Sequence, residues 1–86
     1  MITSNKVLVT IMVPVIDASF DIFIPVARKT KYIIKLASKS ISDLTHNLFP
    51  LSNGNALYNQ KSGEKYDLEK LIIDSDIRNG SVLILI

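Results

Sequence analysis

The sequence has no cysteine, no tryptophan, one histidine (His46), three glycines and three prolines in 86 residues. Without cysteine there is no thiol nucleophile, no disulfide framework, no cysteine-based zinc site and no iron–sulfur cluster. The same absence is compatible with a reducing compartment. His46 has no second histidine to share a metal with and no nucleophile elbow to serve as a base. No glycine-rich phosphate loop of the G-x-x-x-x-G-K or G-x-G-x-x-G kind occurs. A strong charge of one sign is missing too: ten basic against eight acidic residues give a net +2. The balance shifts from +3 over residues 1–43 (six basic, three acidic) to −1 over 44–86 (four basic, five acidic). That asymmetry falls far short of the basic patch of a nucleic-acid binder.

What is present is apolar. Hydrophobic residues make up 48% of the chain and charged ones 21%, a globular balance rather than a disordered one. The length predicts one domain over residues 1–86. A domain this short buries only about 60% of its unfolded surface, and with no staple available, oligomerisation or a partner would help it.

Lys6 followed by the apolar run Val7 to Ile16 superficially resembles a secretory leader. Ten residues are too few to span a bilayer as a helix, which takes about 20. Seven of the ten are β-branched, and Pro14 would break a helix. The run therefore reads as a strand over 6–16, with Val7, Val9, Ile11 and Val13 on one face and Leu8, Thr10 and Met12 on the other. Asp17-Ala18-Ser19 is the expected hairpin turn, and Phe20, Ile22 and Ile24 alternate with Asp21, Phe23 and Pro25 in a second strand over 20–26. Pro14 and Pro25 suit strand ends or edges.

An amphipathic helix is predicted over 30–48, capped by Thr30 and stopped by Pro50. Ile33, Ile34, Leu36, Ala37, Ile41, Leu44 and Leu48 share its apolar face, while Lys31, Lys35 and Lys39 fall opposite. Asn53-Gly54 signals a turn and Asn55 to Gln60 a short strand with Leu57 and Tyr58. A polar turn at Lys61 to Lys65 leads to Tyr66 to Ile73, a short strand running into a helical turn. After a turn at Asn79-Gly80, Ser81 to Ile86 is an almost unbroken aliphatic run, the pattern of a central strand. The order predicts an α+β roll: an N-terminal hairpin and one helix packed on a mixed sheet.

That order resembles the ubiquitin-like β-grasp. The most specific segment is Leu68-Glu69-Lys70-Leu71 through Asp76-Ile77-Arg78-Asn79-Gly80-Ser81-Val82-Leu83-Ile84-Leu85. Within the superfamily, Asp21-Ile22-Phe23-Ile24-Pro25, the helix start Ile33-Ile34-x-Leu36 and the ending Ile77-x-Asn79-Gly80 are similar to the YukD/EsaB group of small bacterial ubiquitin-like proteins. Members of that group are encoded with type VII secretion machinery. The resemblance implies a cytoplasmic, non-enzymatic adaptor with no cofactor. It would bind a protein partner among the secretion system's membrane components and lie peripheral to the membrane through it. It implies neither nucleic-acid binding nor a transmembrane segment. Conjugated modifiers and sulfur carriers of this fold need a flexible Gly-Gly tail, and this sequence stops at Leu85-Ile86, so if full length it is not conjugated. The alternatives are a modifier or sulfur carrier truncated before its Gly-Gly, and a generic β-grasp interaction module.

Few residues are candidates for a site. His46 near the helix end reads as structural. Asp74 and Asp76, with Asp67 and Glu69, resemble a metal cluster but lack the register of an EF-hand and sit where turns favour aspartate, so no metal is expected. Lys31, Lys35 and Lys39, preceded by Arg28 and Lys29, form the one concentrated basic surface. It is either the solvated face of a helix or a dock for an acidic protein or lipid head groups. In the last strand, family alignment turns Leu83 and Leu85 inward, and period-two alternation then turns Val82, Ile84 and Ile86 outward. Ubiquitin-like proteins usually recognise partners with that outer face, so Val82, Ile84 and Ile86 are the apolar candidate. Leu8 and Met12 could instead cover them, or a homodimer contact could.

Overall fold

The alternation of β-branched residues after Lys6 does make a strand, and its limits are set by proline chemistry. The computed structural model describes residues 5–49 and 54–86. Strand β1 runs Lys6–Val13 and β2 runs Ala18–Pro25, paired antiparallel from Lys6 opposite Pro25 to Val13 opposite Ala18. The reversal is tighter and earlier than the expected Asp17-Ala18-Ser19 turn. Pro14, with its φ already fixed and no amide to donate, opens a 3₁₀ turn over Pro14–Ile16. Asp17 closes that turn in the left-handed region at φ 51°, which aspartate tolerates, and its amide donates to the Pro14 carbonyl. Ala18 and Ser19 consequently belong to β2. Pro25 sits at the end of β2, which is an edge strand.

Helix α1 spans Thr30–Leu44. Thr30 does not cap it: Lys29 holds the cap position without a side-chain bond, and Thr30 is fully buried. The first-turn amides are satisfied from a distance instead. The Lys70 carbonyl accepts from the Thr30 amide at 2.9 Å and from its hydroxyl at 3.2 Å, and the Leu68 carbonyl accepts from the Lys31 amide at 3.0 Å. The far end also departs from expectation, stopping at Leu44 rather than 48. Thr45 donates both its amide and its hydroxyl to the Ile41 carbonyl, and His46 and Asn47 take left-handed φ of 53° and 69°. The Asn47 amide reaches back to the Ser42 carbonyl at 2.7 Å. After this reversal Leu48 stands in solvent and Phe49 enters the core at 3% exposure, while Leu44, expected on the apolar face, is exposed at the helix end. Pro50 and Asn53, read as a helix stop and half of a turn, lie outside the described residues.

Strand β3 is Leu57–Asn59 and β4 is Val82–Leu85. The sheet order is β2-β1-β4-β3, with β4 parallel to β1 and antiparallel to β3, so the aliphatic run is central as its composition predicts. Tyr66 to Ile73 is not a strand. An isolated bridge at Lys65 precedes it, another at Leu71 lies within it, and a 3₁₀ turn over Ile72–Asp74 follows that second bridge and buries Ile72. Gly80, at φ 86°, makes the sharp turn into β4.

The core lies between one sheet face and α1. Val9, Ile11, Val13, Ile24, Leu57, Leu83 and Leu85 form one buried cluster with Ile33, Ile34, Ala37 and Ile41, and Phe49, Ile72 and Ile77 from the connecting segments belong to it too. The contrast at the helix end is testable by denaturant unfolding. Phe49→Ala is expected to cost about 3–5 kcal/mol by leaving a core cavity. Leu48→Ala is expected to stay within about 0.5 kcal/mol, because that side chain is already in water.

Candidate functional site

With α1 covering one face of the sheet, whatever the strands carry on the other face meets solvent. Alternation from the buried Val9, Ile11 and Val13 puts Leu8, Thr10 and Met12 outward on β1. Strand register then assembles the rows: Leu8 stands opposite Phe23, Thr10 lies between Asp21 and Val82, and Met12 lies between Ser19 and Ile84, which in turn faces Tyr58. Phe23 is 63% exposed and Ile86 62%, with Leu8 and Val82 exposed and Ile84 and Met12 half-buried. Leu8 therefore extends the apolar surface instead of covering it. On the same face the Thr10 hydroxyl donates to Asp21 Oδ1 at 2.7 Å.

Val82, Ile84 and Ile86 are thus brought to one face, while the buried partners Leu83 and Leu85 point to the core. Phe23 and Leu8 were not among the site residues read from sequence. The signal for them was there: Phe23 alternates with Ile22 and Ile24, and a single helix cannot cover both faces of a sheet.

The three lysines of the helix face have different surroundings. Lys31 pairs with Glu69 at 2.9 Å, and the same carboxylate takes Lys29 at 3.1 Å. Lys39 faces Asp43 one turn on, at 3.7 Å. Lys31 and Lys35 border a hollow beside Arg28, Lys29, Tyr32 and Leu71, and Lys39 lies outside it. Lys31 first and then Lys29 hold the Glu69 carboxyl below the usual glutamate range. All these pairs are exposed, so water and salt screen them and each contributes little to stability. His46 is exposed in the turn after α1. Among the described residues, no three His, Asp or Glu side chains converge as metal ligands, and no helix is long and apolar enough to cross a membrane.

No protein-family model matches the sequence, and no curated protein matches it either. Solved structures do. The ubiquitin-like domain of the type VII secretion system protein ECCD1 from Mycobacterium tuberculosis superposes with a TM-score of 0.72 at 16% identity, covering 96% of this chain and 99% of that one. The fold is ubiquitin-like. A ubiquitin-like domain from Arabidopsis thaliana matches with a TM-score of 0.63 at 17% identity, over 100% of this chain and 81% of that one. A chain of the MycP5-free ESX-5 inner membrane complex matches with a TM-score of 0.67 at 13% identity, over 95% of this chain but 21% of that one.

In this ubiquitin-like roll the segment between β3 and β4 has little regular structure, and side chains hold it in place. The Tyr66 hydroxyl donates to Asp76 Oδ1 at 2.7 Å, and Asn59 Nδ2 donates to Asp76 Oδ2 at 3.1 Å. Asp76, read from sequence as one of a cluster of turn aspartates, is therefore the acceptor that ties the loop to β3. Burial, and next the bond to Asp76, raise the Tyr66 phenol well above its ordinary value of 10.0. Folding favours the neutral phenol, so this contribution is complete below pH 10.0 and is lost as pH rises above it. Tyr66→Phe is expected to lower stability by about 1 kcal/mol at neutral pH. In alkaline denaturation series the wild-type advantage should shrink above pH 10.0, and a constant difference would contradict the assignment.

Proposed function

We propose that this chain is a non-enzymatic ubiquitin-like adaptor that holds a protein partner on the outer face of its sheet. In this reading it serves the cytoplasmic side of a type VII secretion system, reaching the membrane through that partner and acting by reversible binding. The observation that carries the reading is the set of apolar side chains on the face away from α1: the exposed Leu8, Phe23, Val82 and Ile86 and the half-buried Ile84. Exposed aromatic and aliphatic groups gathered on one face cost solubility unless something covers them, and they are what the centre of an interface uses. The likeness to the ECCD1 domain and to the ESX-5 complex chain supports the secretion setting. The finer assignment to the YukD/EsaB group rests on Asp21 to Pro25, Ile33-Ile34-x-Leu36 and Ile77-x-Asn79-Gly80.

The test is quantitative co-purification with the secretion-system membrane proteins in the native host. Phe23→Ala removes an edge-strand side chain without touching the core, and Ile84→Asp places a charge mid-face. Each is expected to weaken recovery about tenfold or more while retaining a wild-type circular dichroism spectrum, as for interface anchors worth over 1 kcal/mol. Undiminished recovery with both folded variants would remove the face from the reading. A concentration-dependent dimer, present in wild type and lost in both variants, would assign the face to a second copy instead.

A further inference from the structure

On the helix side of the molecule, the β2–α1 connection and the start of α1 border a hollow of about 430 Å³. Arg28, Lys29, Lys31 and Lys35 surround it, and Leu71 with the Tyr32 ring provides an apolar wall. The Arg28 guanidinium lies 3.7 Å from the centre of the Tyr32 ring, which holds that cation in place by cation–π attraction. Four cations are thus gathered around one concavity, and a single carboxylate, Glu69, is shared between two of them. Among the described residues neither Arg28 nor Lys35 has an acidic partner. The first amides of α1 are already committed to the carbonyls of Leu68 and Lys70, so side chains carry the positive charge here.

We propose that this hollow docks an acidic segment of a protein partner. Carboxylates of the segment meet Lys31, Lys35 and Arg28, and an apolar side chain between them packs on Tyr32 and Leu71. Glu69 is the built-in competitor that an incoming carboxylate displaces from Lys31. A concave site with an apolar wall suits a protruding side chain, whereas a plane of lipid head groups would address the exposed lysine tips alike, Lys39 included. The proposal is independent of the sheet-face reading, since the two surfaces lie on opposite sides of the sheet.

The experiment is a titration of the whole chain with a short synthetic peptide of Asp and Glu around a central Phe, followed by amide NMR. Shifts are expected at residues 28–35 and at Leu71, with affinity falling as salt rises. Lys35→Gln should raise Kd about threefold to fivefold, the range of an exposed ion pair. Glu69→Gln should lower Kd by a similar factor. Asp43→Asn makes the same change of charge away from the hollow and should leave Kd nearly unaltered. Equal tightening by Glu69→Gln and Asp43→Asn, or shifts spread over every lysine, would overturn the site. So would phosphatidylserine vesicles that bind with this ranking of variants while the peptide shifts nothing.

Discussion

Ile11 and Leu83, from opposite ends of the chain, stand side by side in the parallel pairing of β1 with β4, and both are fully buried. Everything else in the fold depends on that contact. β1 joins β2 on one side, β4 joins β3 on the other, and without the central pairing the sheet is two unconnected fragments. Helix α1 needs the joined surface, because Ile33, Ile34, Ala37 and Ile41 bury against side chains from both halves. The stabilisation comes from apolar area removed from water, and the parallel ladder fixes which side chains share it.

The segment between β3 and β4 shows how a small protein economises on regular structure. It supplies carbonyls to the start of α1, a buried Ile72 and Ile77 to the core, and Asp76 to Tyr66 and Asn59. Each job uses only one or two residues, held by turns. The same segment positions Glu69 between Lys29 and Lys31. Core, helix cap and charged rim are therefore mechanically linked through about ten residues whose backbone forms no ladder.

Much of this was legible in the chain because period-two and period-3.6 patterns are local. The shared face of Val9, Ile11 and Val13, the central place of the last strand and the lysine face of α1 follow from composition and spacing, whereas the inward turn of Leu83 and Leu85, and with it the outward set Val82, Ile84 and Ile86, came from the family resemblance. The departures lie where a distant or competing group decides. Thr30 looked like a cap from its neighbours, but Lys70, far along the sequence, supplies the cap and buries the hydroxyl. Leu48 continues the helical stripe in sequence, yet the left-handed His46 and Asn47 reverse the chain before it can use it, and Leu44, at the helix end, is exposed as well. Phe23 was visible as an outward residue, but only the register beside Leu8 makes it part of a surface.

The order β2-β1-β4-β3 also bears on how the molecule is made. Synthesis at roughly 5–20 residues per second delivers the hairpin and the helix seconds before β4. During that interval Ile11 and its row form an open strand edge, with half of the sheet surface that α1 needs still missing. The nascent chain can form local structure but cannot close its core until the segment through Leu85 has left the ribosome. The strand order thus makes closing of the core a late step of synthesis and leaves the inner edge of the hairpin unpaired until β4 arrives.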